Sequence, residues 1–289
     1  RASARRMPAF SLRSTPSLTT PPSLKIPRCS LARVIEPSVP RMKLSSLALL
    51  LSCCWISAAC TATFEVELAF EEEGSFEKME YQAPSGRTLP YMSMEPAVME
   101  AGEDYPLVLV LHGVGGRGQE NWAKNCYANA VLMKPAMRAE HPCFVIAPTV
   151  GLEESWRGQP LLDVFDLLEE LMGELPIDSE RVYITGQSMG GFGTYQALIE
   201  RPQLFAAAAP VCGWNEPSKA ETISHIPLWA FHGTDDPVVP VSGSQEMVEA
   251  LREAGGAPKY TELPGVKHDA WNQAYDSAEL WAWLFSQFR

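Results

Sequence analysis

The stretch RVYITGQSMGGFGTYQAL, from Arg181 to Leu198, decides the fold because it places a serine between two glycines where an apolar strand turns into a helix. The residues of the segment VYIT favour a β-strand, and the residues after the serine can form a helix with one apolar face. Ser188 stands at the bend, with Gly186 and Gly190 two residues to either side. A sharp strand-to-helix turn strains the serine backbone and leaves no room for Cβ atoms at those positions. The pattern therefore predicts an exposed, nucleophilic hydroxyl; the alternative is a serine that only caps a helix.

The first 60 residues differ in composition from the rest of the chain. Residues 1–43 carry nine Lys or Arg side chains against the single acid Glu36. We expect residues 1–41 to be a disordered basic extension or upstream sequence wrongly joined to the reading frame. Residues 42–60 begin with Met-Lys, continue as a Leu-rich apolar run and end in small residues, which is typical of a secretory signal peptide. This segment predicts a secreted or periplasmic protein.

Two alternatives for this segment stay open. The apolar run of 17 residues that ends at Cys60 could cross a membrane as a single helix. Cys60 follows two alanines, so it could instead carry a lipid anchor. Either alternative would tether the protein to a membrane.

Beyond residue 60 the chain is strongly acidic. It holds 14 basic and 34 acidic side chains there, a formal charge of about −20. Such a field repels polyanions, so nucleic acid is excluded as a partner, and no partner protein is evident. The cysteines at 126, 143 and 212 form no CxxC pair and there is no HExxH motif, so we expect no metal and no cofactor.

Strand-like and helix-like segments alternate after residue 60, as βαβ crossovers do around a mostly parallel sheet. We predict a single α/β domain over residues 61–289, with an antiparallel edge formed by the first strands. Only about 15 residues separate Cys212 from Leu228, too few for a sizeable cap domain. The predicted strands lie near 64–70, 76–81, 107–111, 143–147, 182–185, 206–211, 228–231 and 260–263, and the predicted helices at 161–175, 190–199, 245–254 and 278–288.

Three further loops carry residues suited to catalysis, each after a predicted strand. Ligands of open α/β sheets bind beyond the carboxyl ends of the strands. The loops read LHGVGGRG at 111–118, HGTDDPVVP at 232–240 and PGVKHDAW at 264–271. The chain order serine, aspartate, histidine is the order of an α/β-hydrolase triad.

These motifs resemble the α/β-hydrolase superfamily, and in particular its compact carboxylesterase and polyhydroxybutyrate-depolymerase-like branch, whose members are also labelled predicted peptidases related to prolyl oligopeptidase. The resemblance covers residues from about 90 to 289. It rests on PLVLVLHGVGGRGQEN, IDSERVYITGQSMGGFGTYQAL, PLWAFHGTDDPVVPVSGS and YTELPGVKHDAW. It implies a mostly parallel twisted sheet flanked by helices and a cofactor-free serine mechanism.

Each site residue is assigned by its place in these motifs. We predict Ser188 as the nucleophile and His268, after the last strand, as its general base. Asp236 is the predicted orienting acid because it fits the D-x-x-V-P pattern of the family, in which Asp235 falls one residue early. Asp235 is the alternative.

The oxyanion donors are predicted to be backbone N–H groups of Met189, which follows the nucleophile, and of Val114 in the glycine loop. Gly113 and Gly115 are alternatives to Val114. The other two loop histidines, at 112 and 232, are expected to shape tight loops.

Four tryptophans fall in loops that follow strands, at positions 122, 156, 214 and 271. They either line a cleft next to the nucleophile or roof the core beneath long loops. We predict that Trp214 and Trp271 bind substrate, which favours an aromatic or sugar-bearing ester.

The sequence thus predicts a secreted serine carboxylesterase that acts on short acyl or sugar and phenolic esters, free or displayed on a polymer, through an acyl-serine intermediate. A serine peptidase of prolyl-oligopeptidase type is one alternative. A non-catalytic binding module on the same scaffold is another.

Overall fold

The computed structural model describes residues 75–119, Trp122 and residues 126–289. These residues belong to the second of two units into which the chain divides, Val66–Arg289. The predicted basic extension, the signal peptide at 42–60 and the predicted strand at 64–70 lie outside the described residues. Among the helices of the described part, none has both the length and the hydropathy needed to cross a membrane.

Strands and helices alternate along the described chain from β3 onward. The strands are β1 (Glu77–Gln82), β2 (Thr88–Met94), β3 (Tyr105–Leu111), β4 (Phe144–Pro148), β5 (Ile177–Gln187), β6 (Ala207–Val211), β7 (Trp229–Gly233) and β8 (Lys259–Leu263). The α-helices are α1 (Tyr127–Leu132), α2 (Pro135–Glu140), α3 (Gln159–Glu174), α4 (Met189–Glu200), α5 (Ala220–Ile223), α6 (Val241–Glu253), α7 (Trp271–Asp276) and α8 (Ala278–Phe285).

The described strands form one eight-stranded sheet in the order β1-β2-β4-β3-β5-β6-β7-β8. β1 pairs antiparallel with β2, and β2 pairs antiparallel with β4. All the other pairings, from β4 through β3 to β8, are parallel. The predicted fold class, a mostly parallel sheet with an antiparallel edge and flanking helices, is confirmed.

Alternate side chains of each central strand enter two apolar layers on opposite faces of the sheet, as the period of a β-strand requires. In β3, Leu107, Leu109 and Leu111 enter one layer and Val108 and Val110 the other, and all five are fully buried. Helices α3, α4 and α6 cover the first layer, and α1, α7 and α8 cover the second.

The connection from β6 to β7 contains a single 3₁₀ turn and the four-residue helix α5. It adds no sizeable cap to the described residues, as predicted. Because β3, β5, β7 and β8 belong to the parallel part of the sheet, the loops at their carboxyl ends meet at one edge of it. The connection from β6 to β7 inserts no domain among these loops.

Candidate active site

Ser188 sits on a strained turn between β5 and α4. Its backbone has φ 54° and ψ −117°, and only one other non-glycine residue among those described, Cys212, has a positive φ. A Cβ on Gly186 would overlap the backbone of Gly190, and a Cβ on Gly190 would overlap the Leu111 carbonyl. Glycine is therefore required on both sides of the serine, as the sequence pattern predicted.

A hydrogen-bond chain joins three of the predicted site residues. The Ser188 hydroxyl lies 2.9 Å from His268 Nε2, and His268 Nδ1 lies 2.6 Å from Asp236 Oδ2. A carboxylate can only accept, so Nδ1–H donates to Asp236 and Nε2 is left to accept from the serine. The residues come from the ends of three different strands, β5, β7 and β8. The imidazole is thus placed to remove the proton of the serine hydroxyl.

Asp236 is held by its own loop as well as by His268. Its Oδ1 accepts from the N–H groups of Val238 (2.8 Å) and Val239 (2.9 Å), and its side chain is fully buried. Burial acts to raise the pKa of Asp236, but the Val239 N–H, His268 and the Val238 N–H outweigh it, so this pKa lies below its ordinary value. The acid therefore stays ionised beside the imidazole.

The neighbouring acid is directed elsewhere. Asp235 is exposed, and its Oδ1 accepts from the Thr234 hydroxyl at 2.9 Å. The structure brings Asp236, and not Asp235, to His268.

His232 lies beneath the loop of Asp236, fully buried. Its Nε2 is 3.0 Å from the Val239 carbonyl and 3.4 Å from Asp236 Oδ2, and its Nδ1 is 2.7 Å from the Ser244 hydroxyl. Because a carbonyl only accepts, Nε2 carries the hydrogen. Burial lowers the pKa of His232, although the Val239 carbonyl and Asp236 oppose it. His232, which is expected to shape a tight loop, thus holds the loop that carries Asp236.

His112 fixes the loop that follows β3. The Val150 N–H donates to His112 Nε2 at 3.2 Å, so the ring hydrogen is on Nδ1, which donates to the Gly113 carbonyl at 2.7 Å. Burial lowers the pKa of His112 to about 4, which keeps the ring neutral. In a trans peptide the next N–H points opposite to the carbonyl. The Val114 N–H is therefore turned away from His112.

The two predicted oxyanion donors are each the first residue of a helical turn. Met189 begins α4 and Val114 begins a 3₁₀ turn, so their N–H groups have no carbonyl partner within the turn. A Cβ on Gly113 would lie 3.5 Å from Ser188 Cβ, which places the Gly113–Val114 peptide beside the serine. Gly115, one of the alternatives, has no such neighbour within 4 Å.

The four loop tryptophans divide into two pairs. Trp122 and Trp156 are buried, 4% and 2% exposed, and both contact the His112 ring edge to face. Trp156 Nε1–H also donates to the His112 carbonyl at 2.8 Å. The rings of this pair therefore roof the core under the loop after β3 and do not line a cleft.

Trp214 and Trp271 are half-buried. The Trp271 ring contacts the His268 ring at 5.3 Å and 86°, whereas Trp214 contacts Phe192 at 5.4 Å and covers Gly243. Of the two, Trp271 directly adjoins the hydrogen-bond chain.

One group of potential metal ligands occurs among the described residues. Donor atoms of Cys212, His232 and Asp236 lie within 4.8 Å of one another. Burial raises the pKa of the Cys212 thiol to about 12, and the imidazole and carboxylate are already engaged as described above. This donor set does not fit a metal ion, because a ligand thiol must be ionised and an imidazole must offer a free nitrogen.

Comparison with known proteins points to one class of enzyme. A family model described as phospholipase/carboxylesterase matches residues 160–280. The carboxylesterase SOBER1 of Arabidopsis thaliana is 28% identical over 138 residues, 45% of this chain and 59% of SOBER1. The bifunctional acetylxylan esterase/xylanase XynS20E of Neocallimastix patriciarum is 28% identical over 120 residues, 42% of this chain and 17% of that enzyme.

Among solved structures, a thermostable esterase is 39% identical, with a TM-score of 0.71 over 74% of this chain and 63% of the other. The chain thus spans less than two thirds of the length of each of these three proteins.

Proposed function

Because the chain belongs to the esterase-like family of the α/β-hydrolase superfamily, we propose that it is a serine hydrolase that cleaves carboxylic esters through an acyl-serine intermediate. One observation carries the proposal. It is the unbroken chain of hydrogen bonds from Ser188 Oγ through His268 to Asp236, which begins on the strained turn.

The proposed reaction begins with attack of Ser188 Oγ on the ester carbonyl carbon while His268 Nε2 removes the hydroxyl proton. The oxyanion that forms accepts hydrogen bonds from the Met189 and Val114 N–H groups. His268 then gives its proton to the leaving alkoxide, and an alcohol departs from the acyl-serine. Water attacks this ester with His268 again as the base, so the acid is released and the hydroxyl of Ser188 is restored.

The proposed substrates are neutral esters, either small or displayed on a polymer, with a sugar or phenol in the leaving group. Trp271 lies beside His268, the group that protonates the leaving oxygen, so its half-exposed ring offers a face on which a sugar or phenol ring can stack. The acidic character of the chain disfavours anionic polymers. The acetylxylan esterase among the relatives acts, by its name, on an ester of this kind.

We further propose that the protein is secreted or periplasmic, on the signal-peptide pattern of residues 42–60. Expression of the full chain with its leader, followed by N-terminal sequencing of the exported product, tests this. A new N-terminus near residue 61 in the soluble exported fraction supports export, and retention of the chain in the membrane fraction contradicts it.

The activity is tested with a fluorophosphonate probe and a substrate panel. The probe forms a covalent adduct only with an activated serine, so peptide mapping is expected to find it on Ser188, and Ser188→Ala is expected to abolish labelling. The panel compares nitrophenyl acetate, butyrate and palmitate, acetylated xylan, a feruloyl sugar ester and a peptide anilide.

We expect turnover of the short esters and little of the anilide, because an amine leaving group needs fuller protonation. Turnover of the anilide alone would favour the peptidase. Absence of both labelling and turnover would favour a non-catalytic module.

A further inference from the structure

Three hydrogen bonds join the loop after β4 to the loop after β3. The Val150 N–H donates to His112 Nε2 at 3.2 Å, and the Gly118 N–H donates to the Val150 carbonyl at 2.8 Å. The third bond runs from the Trp156 indole N–H to the His112 carbonyl, also at 2.8 Å. The first two donors belong to the backbone. Among these three bonds, Trp156 therefore supplies the side-chain donor, which a substitution can remove without altering the backbone.

The bond from Trp156 fixes the first peptide of the loop after β3, the one that joins His112 to Gly113. The next peptide is fixed by the His112 ring, which donates to the Gly113 carbonyl and so turns the Val114 N–H the opposite way. Two consecutive peptides of the loop are thus held by hydrogen bonds to their carbonyls. The second of them carries the predicted oxyanion donor Val114.

Trp156 also packs against the helix that carries the other predicted oxyanion donor. A Cβ on Gly193, one helical turn after Met189 in α4, would lie 2.4 Å from Trp156 Cβ. A Cβ on Gly190, in the first turn of the same helix, would lie 3.0 Å from the carbonyl oxygen of His112. The carbonyl that Trp156 binds therefore lies against the start of α4. The Trp156 side chain contacts both parts of the chain whose N–H groups are predicted to hold the oxyanion.

The Trp156 side chain is enclosed on both of these sides. It is buried, and its ring meets the His112 ring edge to face with 4.8 Å between the centroids. Protein interiors are close-packed and barely compressible, so a side chain enclosed in this way transmits the position of one neighbour to the other. The loop after β3 and the start of α4 are therefore held at a spacing that depends on Trp156.

We propose that Trp156 is a positioning residue, which holds the Val114 and Met189 N–H groups at the spacing that one oxyanion requires. An oxyanion donor acts fully only when it lies about 2.7 to 3.1 Å from the oxygen that becomes charged. A small displacement of the loop relative to α4 therefore weakens stabilisation of the transition state more than binding of the uncharged ester. This inference rests on the proposed function. It assigns a role in that reaction to a residue that touches neither the substrate nor the reacting atoms.

The test removes the indole N–H and keeps an aromatic ring, in the variant Trp156→Phe. We expect kcat for nitrophenyl acetate to fall by about tenfold with little change in KM, short of the roughly 10²- to 10³-fold lost with a whole oxyanion donor. Thermal unfolding checks that the variant is folded at the assay temperature. A second variant carries 3-benzothienylalanine at position 156, in which sulfur replaces the N–H in a side chain of nearly the same shape. The same loss is expected there.

Inhibition by a trifluoromethyl ketone separates positioning from a general loss of folded protein. Ser188 Oγ bonds to the ketone carbon, the hydroxyl proton passes to His268, and the π electron pair of the carbonyl goes to its oxygen, which becomes an oxyanion. Loss of folded protein lowers the apparent kcat but leaves the inhibition constant of the remaining enzyme unchanged. We therefore expect the inhibition constant of Trp156→Phe to rise by the factor by which kcat/KM falls.

Trp122→Phe is the matched control. Trp122 also meets the His112 ring edge to face, but its N–H has no partner in the described part of the chain. The same replacement at this position therefore removes no hydrogen bond that the structure shows. We expect its kcat and its inhibition constant to stay at the wild-type values. A loss equal to that of Trp156→Phe would overturn the inference, because packing on the imidazole would then be responsible.

Two results for the Trp156 variants contradict the inference. An unchanged kcat shows that the indole N–H is not needed. A lower kcat with an unchanged inhibition constant shows that Trp156 serves the fold and not the oxyanion donors. If the wild type hydrolyses no ester and forms no adduct with the ketone, the proposed function itself fails.

Discussion

Replacing Asp236 by asparagine changes one atom of the hydrogen-bond chain, and the structure dictates which way the amide turns. Oδ1 accepts from two backbone N–H groups, at 2.8 and 2.9 Å. If the amide nitrogen took that place, three donors would face one another. The amide oxygen therefore stays there, and Nδ2 faces His268 Nδ1 at the position where the acid now accepts at 2.6 Å. An amide nitrogen donates, so it forces the imidazole hydrogen onto Nε2, which can then no longer accept the proton of Ser188.

The expected loss is about 10⁴-fold in kcat, the size associated with a wrong imidazole tautomer, with KM changed little because no substrate contact is removed. Steady-state hydrolysis of nitrophenyl acetate measures both constants, and circular dichroism checks that the variant is folded. Asp235→Asn is the matched control; its side chain is exposed, so its kcat is expected to stay within about twofold of the wild type. A loss below tenfold in Asp236→Asn, or a loss confined to KM, would refute this assignment of the acid.

Four further outcomes are expected. Ser188→Ala and His268→Ala each lower kcat by several orders of magnitude, and the double variant falls little further because the pair acts as a unit; additive losses in steady-state assays would contradict this. Because the pKa of His112 is lowered to about 4 from 6.5, the unfolded chain binds a proton that the folded chain does not bind between these pH values. The free energy of unfolding is therefore expected to fall by up to about 3 kcal/mol on acidification through that window, and urea titrations at several pH values measure it; a flat profile speaks against a buried neutral ring. Gly190→Ala forces a Cβ into a backbone carbonyl of β3 and should lower Tm sharply, whereas the exposed helix position Gly173 has open space, so that Gly173→Ala should hold or raise Tm by calorimetry. A chelator such as EDTA is expected to leave ester hydrolysis unchanged, and inhibition that added zinc reverses would show a metal requirement.

The fold and the positions of the site residues were largely predictable because their signals are local. The glycine spacing around Ser188 reports a steric constraint between near neighbours along the chain, and the loops after strands meet at one sheet edge in any parallel sheet. The comparisons support the α/β-hydrolase, esterase-like family that the four motifs predict. The catalytic roles of Ser188, His268 and Asp236 remain predictions, which the variants above test.

Strand β2 is not among the strands predicted from the sequence, and the reason is again a local feature of the sequence. Its sequence TLPYMSM contains Pro90, and proline within a run argues against a strand that has a neighbour on each side. In the structure the Pro90 carbonyl still accepts from the Thr149 N–H at 2.8 Å, and β2 is flanked by β1 and β4. A single missing donor is tolerated here because the rest of the strand pairs normally.

The depth of the loop tryptophans was not predictable, because it depends on contacts distant in sequence. Trp156 is buried because its N–H reaches the His112 carbonyl and its ring covers Gly193 in α4. Trp122 packs on the same imidazole, and its N–H has no partner in the part of the chain that the structure describes. Nothing in the residues next to either indole distinguishes them, so only the folded structure shows which indole N–H is paired.

The two buried histidines outside the hydrogen-bond chain affect how the negative charge of Asp236 acts on His268. His112 and His232 each donate one N–H to a loop carbonyl, and burial lowers both pKa values. A protonated His232, 3.4 Å from Asp236 Oδ2, would compete for the negative charge that must stabilise the imidazolium formed at His268. As a neutral ring it holds the Val239 carbonyl in place and leaves the charge of Asp236 to His268. Burial of this second imidazole therefore favours proton transfer from Ser188 without any contact between His232 and the serine.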